Sequence, residues 1–212
     1  VVSTILCALI MTYVDGVIQP PYALKSFIKI ILFLCVPMGY FGVFRAWDSL
    51  RVLFMLRKRE LLVASVLGIA AYLVITGGYM LISGVFSLDE AILRLTSDGG
   101  VNPENFVYIS FYIALVNSLL EEFFFRGFVY RNLAQRKKFA YIFGAAVFSL
   151  YHVAMMIGWF HPALLMLVLA GLFVGGMIFN WLNERLGCIY ASWLTHMFAN
   201  FAINTIGFML LS

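Results

Sequence analysis

Six side chains stand out by type and spacing. Glu121, Glu122 and Arg126 fall in NSLLEEFFFRGFVYRN, His152 in VFSLYHVAM, and His196 with Asn200 in SWLTHMFANFAIN. Carboxylate and imidazole together can move protons at a bound water, relay protons between sites, or ligate zinc as a His₂Glu set. Glu122 and Arg126 are four residues apart, which is one helical turn, so they can neutralise each other. Glu121 points about 100° away from Glu122 on a helix. It is left free of that pair and able to face a pocket, with Asn117 one turn earlier placed to orient its carboxylate. His196 and Asn200 are also one turn apart and present two hydrogen-bond donors on one face. Asn204 continues that stripe as a helix–helix hydrogen bond, and Phe148, one turn before His152, packs against it.

The elements that must hold these groups are membrane helices. The chain has 212 residues, of which 64% are hydrophobic and 11% charged, and its mean hydropathy is +0.99. A soluble domain is about half apolar and a quarter charged, so the composition excludes one, along with disordered and disulfide-stapled classes. A spanning helix needs about 20 mostly apolar residues. About seven stretches qualify: 1–19, 24–44, 61–86, 106–130, 139–158, 162–182 and 188–211. The expected fold is an all-α polytopic bundle forming one integral-membrane domain over 1–212. N-terminal spans occupy 1–105 and the motif-bearing spans 106–211. The first stretch carries Asp15 and has no initiator Met before it, and it lacks the basic start of a cleaved signal peptide.

Charge sets the expected orientation. Residues 45–60 carry Arg45, Arg51, Arg57, Lys58 and Arg59, and 131–138 carry Arg131, Arg136, Lys137 and Lys138. The segment 87–105 carries Asp89, Glu90, Asp98 and Glu104 against Arg94 alone. Positive loops stay cytoplasmic, which places both basic loops and the N-terminus inside. The formal charge of +4 therefore belongs to topology, and nucleic acid is not an expected partner. Cys7, Cys35 and Cys188 read as small buried hydrophobes. Trp159, Trp181 and Trp193 read as interfacial anchors, His161 as an interfacial residue without function, and Gly171 with Gly175 as a close-packing GxxxG face.

Ionisable groups within a bilayer are costly and mark function. Apart from the six residues, every charge fits in a loop or at a helix end. At a rise of about 1.5 Å per residue, Glu121 lies about 15 Å inward from Arg131, His196 about 12 Å and Asn200 about 18 Å from Cys188, and His152 about 20 Å from Phe139. Three helices thus bring polar groups to one similar depth, enough for a shared, water-filled pocket.

Glu121 to Gly127 resembles the EExxxR motif, in its EExxFRG form, of the CPBP family, which comprises type II CAAX prenyl proteases and bacteriocin-processing enzymes and is also called ABI. Phe148 to His152 is similar to that family's FxxxH motif, and His196 to Asn200 to its HxxxN motif, in the same order. The resemblance spans 117–204. It implies an intramembrane glutamic endopeptidase in a prokaryotic cell membrane, acting on a membrane-associated protein or peptide among membrane lipid. It further implies that Glu121 and His152 activate the hydrolytic water, that His196 and Asn200 form the oxyanion hole, and that Glu122 and Arg126 support them. No cofactor is expected. Zinc held by Glu121, His152 and His196 is the alternative for the same hydrolysis, although no HExxH is present and no carboxylate stands evidently behind either histidine. A non-catalytic bacteriocin-immunity or scaffold protein, and a proton-coupled transporter, are the rivals from other classes.

Overall fold

The computed structural model describes residues 1–55, 58–86, 88, 93, 101–158 and 160–211, with backbone alone at 58, 59, 154 and 155. Arg57, Asp89, Glu90, Arg94, Asp98 and Trp159 lie outside these residues. Every element found is helical. In order they are α1 (Val2–Ile18), α2 (Tyr22–Val43), α3 (Trp47–Leu53), α4 (Lys58–Ile82), α5 (106–133), α6 (Lys137–Met156), α7 (Pro162–Leu186) and α8 (Ile189–Leu211). Backbone amides have no water partner in hydrocarbon, so helices that satisfy them internally are the expected form.

Among the described residues, length and composition make five helical runs able to cross a membrane, with the shorter apolar α1 beside them. The longest, Phe106–Val153, has 48 residues. If straight it would reach about 72 Å, more than twice the hydrocarbon thickness. It doubles back instead. A tight turn at Ala134–Arg136 separates α5 from α6, and the rings of Tyr130 and Tyr141 (5.5 Å) and of Phe125 and Phe148 (5.3 Å) close the hairpin. With both arms counted, the runs cover the expected spans from 24 onward, whereas α1 is shorter than the spanning helix expected over 1–19; the chain is an integral multi-pass membrane protein.

Local chemistry sets the helix ends. Gln19 takes a left-handed conformation before Pro20, and Pro21 opens α2. Gly187, at φ 71°, closes α7 by donating its N–H to the Asn183 carbonyl. His161 caps the start of α7, its ring nitrogen accepting from the Ala163 N–H at 3.3 Å. The basic segment 45–60 is not all loop. It forms the short α3, whose Leu53 is buried in a cluster with Phe41, Phe123 and Ile189.

Packing corrects two expectations. Gly171 and Gly175 face open space, whereas a Cβ on Gly176 would lie 3.0 Å from the Ala145 backbone. Gly176 is therefore the close-approach residue between α6 and α7. Cys35 is exposed on α2, while Cys7 and Cys188 are buried. The Cys188 thiol lies in the turn between α7 and α8. Burial, together with the bond it donates to Glu60 at 3.2 Å, pushes its pKa up to about 11.

Candidate active site

The site grows from the middle of α5. Two wide π turns, Tyr112–Asn117 and Phe123–Tyr130, flank an α-helical segment, Ser118–Glu122. Wide turns of this kind offset side chains from the α-helical register and recur at functional sites. They also release carbonyls, and side chains of α8 take these up. Asn200 Nδ2 donates to Ile113 O at 3.2 Å, Asn204 Nδ2 to Ser110 O at 3.0 Å, and Trp193 Nε1 to Leu115 O at 2.9 Å. Asn204 thus makes the expected interhelical bond. Trp193, expected only as an interfacial anchor, makes one too.

Glu121 and Glu122 are both buried, on separate sides of the helix. Glu122 Oε1 accepts from Arg126 Nη1 at 3.0 Å and faces His196 Nδ1, also at 3.0 Å. Arg126 is enclosed: its second terminal nitrogen donates to the Gly176 carbonyl at 3.2 Å, and the guanidinium lies 4.5 Å from the Phe148 ring centre and 5.0 Å from that of Phe179. A fully buried guanidinium needs such partners, because an uncompensated charge there is severely destabilising.

Glu121 has a different set of neighbours. Its Oε1 accepts from Asn117 Nδ2 at 3.0 Å, as the spacing predicts, and from Lys29 Nζ at 2.6 Å, which it does not. Glu121 is therefore not free of an ion pair. One oxygen is held from α2, while Oε2 has no hydrogen-bond partner and is turned towards two imidazoles. His152 Nε2 lies 3.5 Å from Oε2 and His196 Nε2 3.8 Å.

The far sides of the rings assign their protons. His152 Nδ1 lies 2.7 Å from the Phe148 carbonyl, and His196 Nδ1 lies 3.0 Å from the Glu122 carboxylate. Both partners are pure acceptors, so each Nδ1 carries a hydrogen and each ring turns its Nε2 to Glu121. His196 has a carboxylate behind it after all, from the residue next to Glu121. The rings are fixed by packing as well: His152 lies 4.6 Å from Phe148, as expected, and His196 stacks on Phe179 at 5.1 Å.

These groups open onto a cavity of about 190 Å³, which His152, His196, Asn117 and Asn200 line together with Glu121. Its opposite wall comes from α1 and α2 and carries Asp15, Tyr22, Lys25 and Lys29. Lys25 Nζ lies 3.1 Å from Asp15. The structure therefore brings Glu121, His152, His196 and Asn200 to one cavity, with Glu122 and Arg126 directly behind them.

The match to known families falls on the same part of the chain. Residues 103–202 match the family model described as Rce1-like, type II CAAX prenyl endopeptidase Rce1-like. Over this stretch, a little under half of its length, the chain is similar to the Rce1-like CAAX protease family. The stretch includes every residue of the three motifs and stops short of α1–α4, so the Asp15, Lys25 and Lys29 wall of the cavity lies outside the match. No curated protein and no solved structure matches the chain.

Lys29 is the residue that sequence reasoning missed. It stands in ALKSFIKIILFL, where the surrounding hydropathy hides a charge expected to sit at a helix end. The usable signal was the rule already applied to Glu121, that an ionisable group within an apolar span needs a partner. Lys25 and Lys29, one turn apart, share the face that meets the cavity.

Proposed function

We propose that this protein is an intramembrane endopeptidase of glutamate type, which hydrolyses a peptide bond in a membrane-associated protein or peptide. The observation that carries this is Glu121 Oε2, a buried carboxylate oxygen with no hydrogen-bond partner, facing two imidazole Nε2 atoms at 3.5 and 3.8 Å in a cavity. A water placed among these atoms donates one hydrogen to Glu121 Oε2 and the other to His152 Nε2. As the water attacks the scissile carbonyl, its proton passes to this acid–base pair, and it returns to the leaving amine when the tetrahedral intermediate collapses. The pair ends the cycle as it began.

The oxyanion needs donors. A primary amide has two N–H groups, and Asn200 commits one to Ile113 O, which leaves the other for the oxyanion. His196 can add a second donor only where its Nε2 carries a hydrogen; its Nδ1 is held by the Glu122 carboxylate at 3.0 Å. A donor of this kind is worth about 10²–10³ in kcat.

One observation favours zinc in the same place: each histidine is braced at Nδ1 by a carbonyl or carboxylate, as metal-binding histidines are. Two observations count against it. Among the described residues no group of three or more His, Cys, Asp or Glu side chains is arranged to hold a metal ion. Lys29 also puts a cation 2.6 Å from the carboxylate that zinc would share. The residues do not fit the ion, and no step is assigned to it.

The family description makes a prenylated CAAX peptide the first substrate to test. The protein, reconstituted in liposomes, should cleave an internally quenched farnesylated CAAX peptide, and Glu121→Gln should abolish the cleavage. In cells, membrane proteomics should find cleavage products lost equally in a deletion strain and a Glu121→Gln strain. Unchanged products in both assays refute the proposal.

A further inference from the structure

We infer that Lys29 is a positioning residue for Glu121, an inference that rests on the glutamate reading above. Three contacts close a triangle on a single carboxylate oxygen. Lys29 Nζ donates to Glu121 Oε1 at 2.6 Å and to Asn117 Oδ1 at 2.6 Å, while Asn117 Nδ2 donates to the same Oε1 at 3.0 Å. Two donors converging on Oε1 leave the carboxylate one orientation, with Oε2 aimed at His152 and His196.

Each group is itself held. The Lys29 ammonium lies 5.1 Å from the Tyr151 ring centre and 5.8 Å from that of Phe33. Phe33 stacks on Phe124 of α5 at 4.2 Å, which ties α2 to the helix carrying Glu121. The other cation on this wall, Lys25, is occupied by Asp15. Arg126 is occupied by Glu122 on the far side of α5. Among the described residues Lys29 is thus the cation that meets Glu121 directly, and α2 supplies it from outside the stretch that matches the protease family.

A lysine serving only to balance charge would be needed for folding and nothing more. A positioning lysine is needed for turnover too, because a displacement of about 1 Å at a reacting group can cost about 10²-fold in rate. Lys29 contacts the carboxylate rather than the scissile bond, so its loss should fall on kcat and spare KM.

The test uses the full chain in four forms: wild type, Lys29→Met, Glu121→Gln and the double variant. Lys29→Met should lower Tm by roughly 5–10 °C, because it leaves a buried carboxylate unpaired. In the Glu121→Gln background the same change should cost less than half as much. With the farnesylated CAAX peptide, Lys29→Met should lower kcat about 10²-fold with KM nearly unchanged. If Lys29→Met does not fold, Lys29→Arg, which keeps the charge but moves the donor atoms, carries the same kcat test. Additive Tm changes would overturn the pairing. Wild-type kcat in a folded Lys29 variant, or a rise confined to KM, would overturn the positioning role. A wild type that cleaves nothing refutes the proposed function and with it the catalytic sense of Lys29, while the Tm cycle still decides the pair.

Discussion

Replacing Glu122 with Gln should expose the difference between the two adjacent carboxylates. Glu122 Oε1 receives Arg126 at 3.0 Å and His196 at 3.0 Å, and neither Glu122 nor Arg126 has side-chain surface open to solvent. Removing one partner of such a pair costs about 3–5 kcal/mol. The amide oxygen of Gln can still accept one of the two hydrogen bonds, which returns about 1 kcal/mol. The Phe148 and Phe179 faces on Arg126 remain. The net loss is therefore about 2–4 kcal/mol, or roughly 5–15 °C in Tm for a chain of this size. Glu121→Gln should cost less. It strands Lys29, but Lys29 borders the cavity and keeps its bond to Asn117 Oδ1. Turnover should show the reverse order. Glu121→Gln should abolish cleavage, whereas Glu122→Gln should retain a few per cent, because among the groups that line the cavity it disturbs only the bracing of His196. Thermal unfolding in one detergent and cleavage of one peptide measure both. Equal Tm values together with equal loss of activity would refute the division of roles.

Asn200→Ala should lower kcat about 10²–10³-fold with little change in KM, since the oxyanion contact exists only in the transition state; steady-state kinetics that place the whole effect in KM would contradict this. Exhaustively chelated wild type should stay active and hold no stoichiometric zinc by mass spectrometry; one tightly bound zinc per chain, lost with activity in His196→Ala, would move Glu121 and both histidines to a metal site. Cysteines introduced at Arg57 and Lys137 should react with an impermeant reagent from the cytoplasmic side and one at Asp98 from outside; opposite labelling of the first two would break the topology. Gly176→Ala should destabilise by about 1–3 kcal/mol through its clash with Ala145, whereas Gly171→Ala and Gly175→Ala should be nearly silent in thermal unfolding.

What was legible in the sequence was what one helix decides alone. The Glu122–Arg126 pair, the Asn117 contact with Glu121 and the stacking of Phe148 under His152 all follow from residues one turn apart. The common depth of the motifs followed from rise per residue and loop position. What was not legible depends on which faces meet. Periodicity placed Gly171 and Gly175 on one stripe but carried no information about what that stripe faces, and Gly176 makes the contact. Lys29 reaches Glu121 across 92 residues of sequence. Its pairing is a property of the packed helices, not of either segment. The wide turns in α5 leave no composition signal, because any apolar run can adopt them when neighbouring side chains take up the released carbonyls.

The pairing of charges around the cavity has an electrical consequence. Glu121 is matched by Lys29, Glu122 by Arg126 and Asp15 by Lys25, so among the described residues around the cavity three carboxylates face three basic side chains. A transmembrane potential does work on displaced net charge, about 2.3 kcal/mol per elementary charge for each 100 mV. Paired charges at similar depth cancel that work, and small movements of the resting cavity cost the same whether or not the membrane is energised. Neutralising one of the six leaves a unit charge inside the bilayer, and only then does voltage act on the position of the helix that carries it.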